Sequence, residues 1–312
     1  MTERSASLVH RQQCPICGPT PQKEILSIPY SDPRFVQFFT QYYGVWYSEG
    51  MLGDERFTLM RCTSCGLVYQ LGVPSDQFAK TIYDEGMPEA AKDEKMAEST
   101  IGDYSYLAWQ VQWLVRNARK KPSDIRVLDF GLGWAQWAKM AQAYGCQVFG
   151  VELSKNKVAH AEANGIKIVP ADALEPNSYD YINTEQVFEH LSEPKDMLLT
   201  LREAVRPNGL IKVSVPDGRN VDQVVSRMKN ADVFDPDAIM SIHPLQHLNC
   251  FDHRSLDALG RSAQLQPKFP NILLMYDVSC GWFNLKTAAK NLLRPIYRHV
   301  YPKSTFAYFT KN

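Results

Sequence analysis

The chain lacks any surplus of charge: 34 basic residues stand against 34 acidic ones in 312. A protein without net charge exerts no long-range pull on nucleic acid or on an anionic membrane, so neither is expected as a partner. Long apolar runs are missing too. None approaches the ~18–20 residues that span a bilayer, and residues 1–10, MTERSASLVH, hold no apolar core of a secretion signal. These absences predict a cytoplasmic protein without stable membrane insertion. Cysteine is scarce and odd in number, at seven, which argues against a disulfide framework. Acid is absent after Asp277, where Lys286, Lys290, Arg294 and Arg298 recur every fourth residue up to and beyond Pro295. That is one basic helical face, read first as solvated and second as a phosphate-binding rim.

What is present is a globular composition, 45% hydrophobic and 11% aromatic, in a length that suits about two domains of ~100–200 residues. Four of the cysteines form two knuckles, CPICG at 14–18 and CTSCG at 62–66. Two C-x-x-C pairs, each turned by a glycine, predict a closed tetrahedral zinc site of Cys14, Cys17, Cys62 and Cys65. A closed four-thiolate sphere has no open position, so its role is structural. The 44 residues between the knuckles exceed the usual ribbon spacing. They carry Phe35, Phe38, Phe39, Tyr42, Tyr43, Trp46 and Tyr47, whose spacings of three and four predict an aromatic helix face. That face is expected to fasten the zinc lobe to the rest of the chain; a lid over a substrate pocket is the alternative. Cys146, Cys250 and Cys280 read as ordinary core residues.

From residue 123 onward strands and helices alternate. Residues 126–138, RVLDFGLGWAQWA, are a buried strand ending in Asp129, a glycine turn at Gly131 and Gly133, and the start of a helix. Such a turn lets a ligand approach bare backbone beside a helix N-terminus. The next strand, 147–152, ends in Glu152, and a third, 166–169, precedes Asp172. A strand at 179–182 leads into NTEQVFEHLSEP (183–194), and RPNG (206–209) precedes another at 210–215. Regular β-α alternation predicts a doubly wound, Rossmann-like parallel sheet. Strands at 272–276 and 306–309 are expected to complete it.

In its motifs and their order, 122–216 resembles class I S-adenosylmethionine (SAM) methyltransferases of the small-molecule type, with Ala135 in place of a third glycine. The stretch 60–69 with the cysteine knuckles looks like the zinc lobe preceding this domain in bacterial methyltransferases acting on sugars, glycans or secondary metabolites. The resemblance implies a seven-stranded methyltransferase sheet over 123–312, a zinc-binding lobe over 1–75 and a helical linker or lid over 76–122. An insertion at 217–262 is expected to close the active site. It further implies a SAM site made by Asp129, Phe130, Gly131, Gly133, Glu152, Leu153, Asp172, Ala173 and Glu185. Within it the Glu152 carboxylate receives the ribose hydroxyls and Asp172 meets the adenine amino group.

SAM carries an activated methyl group, so the protein chiefly orients the acceptor and excludes water. A hydroxyl acceptor also gains from a base. His190, His243 and His247 are the candidates, since an unperturbed histidine is mostly neutral at cell pH. A metal held by His243 and His247 at i, i+4 has no obvious third ligand, and Pro244 interrupts the spacing. The expected reaction is O-methylation of a sugar or glycan-related hydroxyl, including a nucleotide-linked one, in carbohydrate biosynthesis. C-methylation of a keto-sugar and base methylation of ribosomal RNA by a zinc-ribbon enzyme are the alternatives, and the neutral charge weighs against the second.

Overall fold

The computed structural model describes residues 8–86, 100–268 and 304–311. The expected strand at 272–276, Cys280 and the basic positions 286–298 lie outside these residues. The chain divides into two compact units, and neither is contiguous in sequence. The first takes Met1–Ala97, Phe188–Lys195 and Pro216–Leu259; the second takes Glu98–Val187, Asp196–Val215 and Gly260–Asn312. The predicted insertion thus belongs with the cysteine lobe.

In the first unit a four-stranded antiparallel sheet runs in the order Asn249–Cys250, Val68–Gln70, Arg56–Cys62, Gln22–Pro29. One of its strands therefore comes from the insertion. The aromatic helix forms over Pro33–Tyr43, opened by Asp32, which accepts from the Arg34 amide, and by a proline in the first turn. Its face is neither a lid nor a surface. Phe35, Phe38, Phe39 and Tyr43 are buried in a core shared with Leu59, Phe57, Val225, Met228, Phe234 and Leu245. The Phe35 ring lies 4.7 Å from that of Phe234, tilted by 59°, and Arg34 donates to the carbonyls of Met228 and Ala231. The rings hold the insertion to the lobe, because aromatic pairs bring large buried area at small entropy cost.

The second unit carries the seven-stranded sheet. Its order is Gln266–Lys268, Ser304–Thr310, Val205–Pro216, Tyr179–Glu185, Arg126–Phe130, Gln147–Val151, Lys167–Ile168. The pairs among the last five strands are all parallel, and Gln266–Lys268 runs antiparallel to Ser304–Thr310. Among the described residues, Ser304–Thr310 thus lies between Gln266–Lys268 and Val205–Pro216. Helix Ile101–Ala118, assigned from sequence to a linker, packs Val111, Trp113 and Leu114 against Ile125, Val127, Tyr181 and Tyr308 in this unit's core. A Thr100–Asp103 capping box starts it.

Candidate active-site residues

In the second unit, strand Arg126–Phe130 ends at the turn before helix Gln136–Ala143. Gly131 has φ +74°, and a Cβ built there would stand 2.5 Å from Val187 Cγ2, so only glycine fits. Gly133 has φ +55° with nothing within 4 Å of the same construction, which leaves its outer side open. Ala135 takes a left-handed conformation, φ 59°, at the helix N-cap. An alanine where the resemblance has glycine therefore keeps the backbone shape, at a local cost of roughly 1–2 kcal/mol.

Glu152 organises the turn. Its carboxylate accepts from the amides of Gly133 (3.0 Å), Leu153 (3.0 Å) and Ser154 (2.9 Å). A carboxylate has about four acceptor positions, so with three amides bound about one remains for a ligand hydroxyl. Leu153 is 91% exposed, and Asp172 and Ala173 are exposed in the 3₁₀ turn Ala171–Ala173. Phe130 is buried in the core. Glu185 closes strand Tyr179–Glu185, where it pairs with the buried Lys212 and accepts from Ser214 Oγ at 3.0 Å. The Lys212 ammonium also donates to Gln110 Oε1 at 2.8 Å. Asp129 is fully enclosed. Burial pushes its carboxyl up to about 7, against the opposing hydrogen bond from Asn183 Nδ2 at 2.8 Å.

In the first unit the three histidines separate into two environments. His243 is 1% exposed, its ring 5.2 Å from Phe38 and 4.5 Å from Tyr42. Burial lowers it to about 4, and Nδ1 faces the Pro244 carbonyl at 3.0 Å. It is a neutral core residue. His190 and His247 instead lie ring to ring at 4.8 Å. Glu189 Oε1 stands 3.7 Å from His190 Nε2, and one ligand atom from each of Glu189, His190 and His247 lies within 4.8 Å of the others. Sequence reasoning passed over Glu189 because a carboxylate in a Phe-Glu-His run has no periodicity to mark it as buried; it is 1% exposed.

Arg11 and Asn249 hold this cluster in place. The buried Arg11 guanidinium donates to the carbonyls of Leu191 (3.1 Å), Ser192 (2.6 Å) and Leu248 (3.2 Å) and to Asn249 Oδ1 (3.0 Å). Asn249 Nδ2 donates to Phe188 O (3.0 Å) and Leu191 O (2.7 Å). Gln70 Nε2 donates to the carbonyls of His243 and His247 at 3.0 and 2.9 Å. The segments bearing His190 and His247 are therefore pinned at their backbones by side chains that were not singled out in the sequence.

The four knuckle sulfurs converge, all within 4.8 Å of one another, with Cys14 and Cys65 Sγ 3.7 Å apart. A disulfide needs ~2.05 Å, so these are free thiols. Sulfurs ~2.3 Å from a tetrahedral zinc lie about 3.8 Å apart, and the cluster fits that geometry. Gly18 and Gly66 turn the knuckles with φ +72° and +84°.

Residues 103–267 match the family model described as a methyltransferase domain, more than half the chain. The chain belongs to this methyltransferase family, and its second unit has the Rossmann-like α/β fold with a seven-stranded sheet. Among curated proteins it is similar to the ubiquinone biosynthesis O-methyltransferase of Roseobacter denitrificans, 30% identical over 96 residues, covering 28% of this chain and 39% of that one. It is also similar to phosphoethanolamine N-methyltransferase 2 of Caenorhabditis elegans, 28% identical over 101 residues, covering 28% and 23%. The chain thus spans less than half the length of these relatives. Among solved structures it is similar to the plantazolicin methyltransferase BpumL in complex with S-adenosylhomocysteine (14% identity, TM-score 0.48, 75% and 93% covered). The 1,6-didemethyltoxoflavin-N1-methyltransferase of Burkholderia thailandensis stands at 15% identity and TM-score 0.45, with 76% and 86% covered. No helix among the described residues is long and apolar enough to cross a membrane.

Proposed function

We propose that the chain methylates a hydroxyl of a small-molecule acceptor, a sugar or glycan-related alcohol first, with the Glu189–His190–His247 cluster as its deprotonation centre. When bound, SAM supplies a methyl group activated by its sulfonium. Glu152, the Gly131–Gly133 turn, Asp129, Phe130, Leu153, Asp172, Ala173 and Glu185 are assigned to holding it. The observation that carries the hydroxyl reading is the tautomer of His190. Nδ1 lies 2.9 Å from the Gln246 carbonyl, which only accepts, so Nδ1 bears a proton and Nε2 is the ring nitrogen turned toward Glu189. In the assigned role His190 Nε2 would take the proton of the acceptor hydroxyl as its oxygen is methylated. The name of the Roseobacter relative, an O-methyltransferase, supports the same chemistry. His243, enclosed and neutral, is assigned to packing. The Cys14, Cys17, Cys62 and Cys65 cluster is assigned a structural zinc ion.

Methyl-labelled SAM added with the purified chain to a lysate of the source organism, then separated into small-molecule and macromolecular fractions, tests this reading. Label in a small alcohol-derived ether is expected. Label in RNA overturns it in favour of a base methyltransferase, and label on carbon favours keto-sugar C-methylation.

A further inference from the structure

The pairing of His243 with His247 as metal ligands fails, because His243 is locked in the aromatic core. The structure supplies a different set. We propose that Glu189, His190 and His247 form a site for one divalent transition cation, separate from the cysteine cluster.

Three observations on one face of the first unit argue for it. The ligand atoms converge: all three lie within 4.8 Å, and the Glu189 Oε1–His190 Nε2 separation is 3.7 Å. A cation holding N and O ligands at ~2.0–2.2 Å sets neighbouring donors roughly 3–3.5 Å apart, so closure needs movements of about an ångström or less at the side-chain tips. The His190 tautomer is also that of a metal ligand. Metal-bound histidines donate their other ring N–H to a carbonyl or carboxylate, and Nδ1 of His190 meets the Gln246 carbonyl at 2.9 Å. Finally, the backbones are preset by Arg11, Asn249 and Gln70, so little ordering remains for an ion to impose. The buried Arg11 is held by its own network, and its charge points at main-chain oxygens.

The donor set names the ion. Two imidazoles and one carboxylate suit Fe²⁺, Co²⁺, Zn²⁺ or Mn²⁺ and leave coordination positions open. Thiolates of the cysteine cluster offer none. The inference rests on the reading above for its consequence only: an acceptor oxygen at an open position would be acidified by the cation, and a chain with the cation on Nε2 would not use His190 as the base, since cation and proton compete for that nitrogen.

The test is a Co²⁺ titration of the full chain with zinc already in its cysteine site, followed by visible absorption. One further equivalent is expected, with weak bands that lack thiolate charge transfer. Glu189→Gln and His190→Asn should each weaken uptake tenfold or more while zinc content stays at one. Absence of uptake, thiolate-type bands only, or uptake unchanged in both variants overturns the site. In the unmutated chain, two exchangeable, paramagnetically shifted imidazole N–H signals in proton NMR are expected, and their absence overturns it without any variant. Co²⁺ uptake by a chain that methylates nothing leaves the site standing and sinks the hydroxyl reading.

Discussion

The proton of His190 sits on the nitrogen facing Gln246: Nδ1 and the Gln246 carbonyl are 2.9 Å apart. Since a carbonyl cannot donate, Nδ1 is the donor, and Nε2 is the nitrogen beside Glu189 assigned as the base. His190→Gln removes that atom while keeping a polar side chain. The expected result is a fall in kcat of roughly 10²–10⁴-fold, the usual range for a lost general base. Kd for SAM, measured by calorimetry, should change less than twofold, because the residues assigned to SAM belong to the other unit.

Arg11 donates to the carbonyls of Leu191, Ser192 and Leu248; Leu191 and Leu248 each keep a second donor, Asn249 Nδ2 and the Gln70 main-chain amide, so the dependence on Arg11 is greatest at Ser192. Unmet buried acceptors cost about 1–3 kcal/mol each. Arg11→Ala should therefore destabilise the first unit by about 1–3 kcal/mol in urea unfolding and depress kcat/KM, with SAM affinity retained. Arg11→Lys should recover less than half of the stability, since an ammonium cannot span these acceptors as a planar fork does.

The parts of this molecule legible in sequence were those with a repeating or fixed-spacing signal. The β-α alternation from Arg126 onward, the glycine turn and the two knuckles each have a local backbone cause, and each forms as expected. What stayed hidden was pairing across large sequence separations. Arg11 reaches Asn249, 238 positions away, and Gln70 reaches His247, 177 away. No periodicity links such residues. The same blindness explains the aromatic helix: its apolar face was plain, but its partner, Phe234 in the insertion, was not. Glu189 is the sharpest case, a charged residue that only tertiary packing buries.

Zinc in the cysteine cluster has its own test. The purified chain should contain one zinc ion per molecule by emission spectroscopy. Cys62→Ser, at a sulfur fully buried beside Thr20 Oγ1 (3.3 Å), should reduce that to zero. A structural zinc site contributes on the order of 10 kcal/mol, so the variant should expose residues of the first unit to limited proteolysis. A variant that keeps its protection would show that the lobe folds on its aromatic core alone.

Lys212 is buried on strand Val205–Pro216 with Glu185 and Gln110 as partners. Replacing one member of a buried pair leaves the other uncompensated, typically at about 3–5 kcal/mol. Glu185 is part-exposed, which lets water screen it and places Lys212→Met nearer the low end, about 2–3 kcal/mol. The freed Glu185 should also swing, so SAM affinity is expected to weaken. Unfolding midpoints and SAM calorimetry on the same preparation check both.

Asp129 gives the protein a stability that depends on pH in an unusual direction. Burial raises its folded-state carboxyl to about 7 from the ordinary 3.8 of an aspartate. Between those values the folded chain binds a proton that the unfolded chain has released. The slope of unfolding free energy with pH is set by protons bound unfolded minus folded, and here it is negative. The contribution of Asp129 is therefore fully present below about pH 4, declines as pH rises toward 7, and is gone above it. Asp129→Asn cannot ionise and still accepts from Asn183 through its amide oxygen. In urea unfolding at pH 5 and pH 8, the unmutated chain should lose stability on going to the higher pH relative to the variant. The gap between the two should narrow or reverse in favour of the variant at pH 8. Parallel curves for the two proteins would mean that Asn183 and the neighbouring Lys212 keep Asp129 ionised throughout.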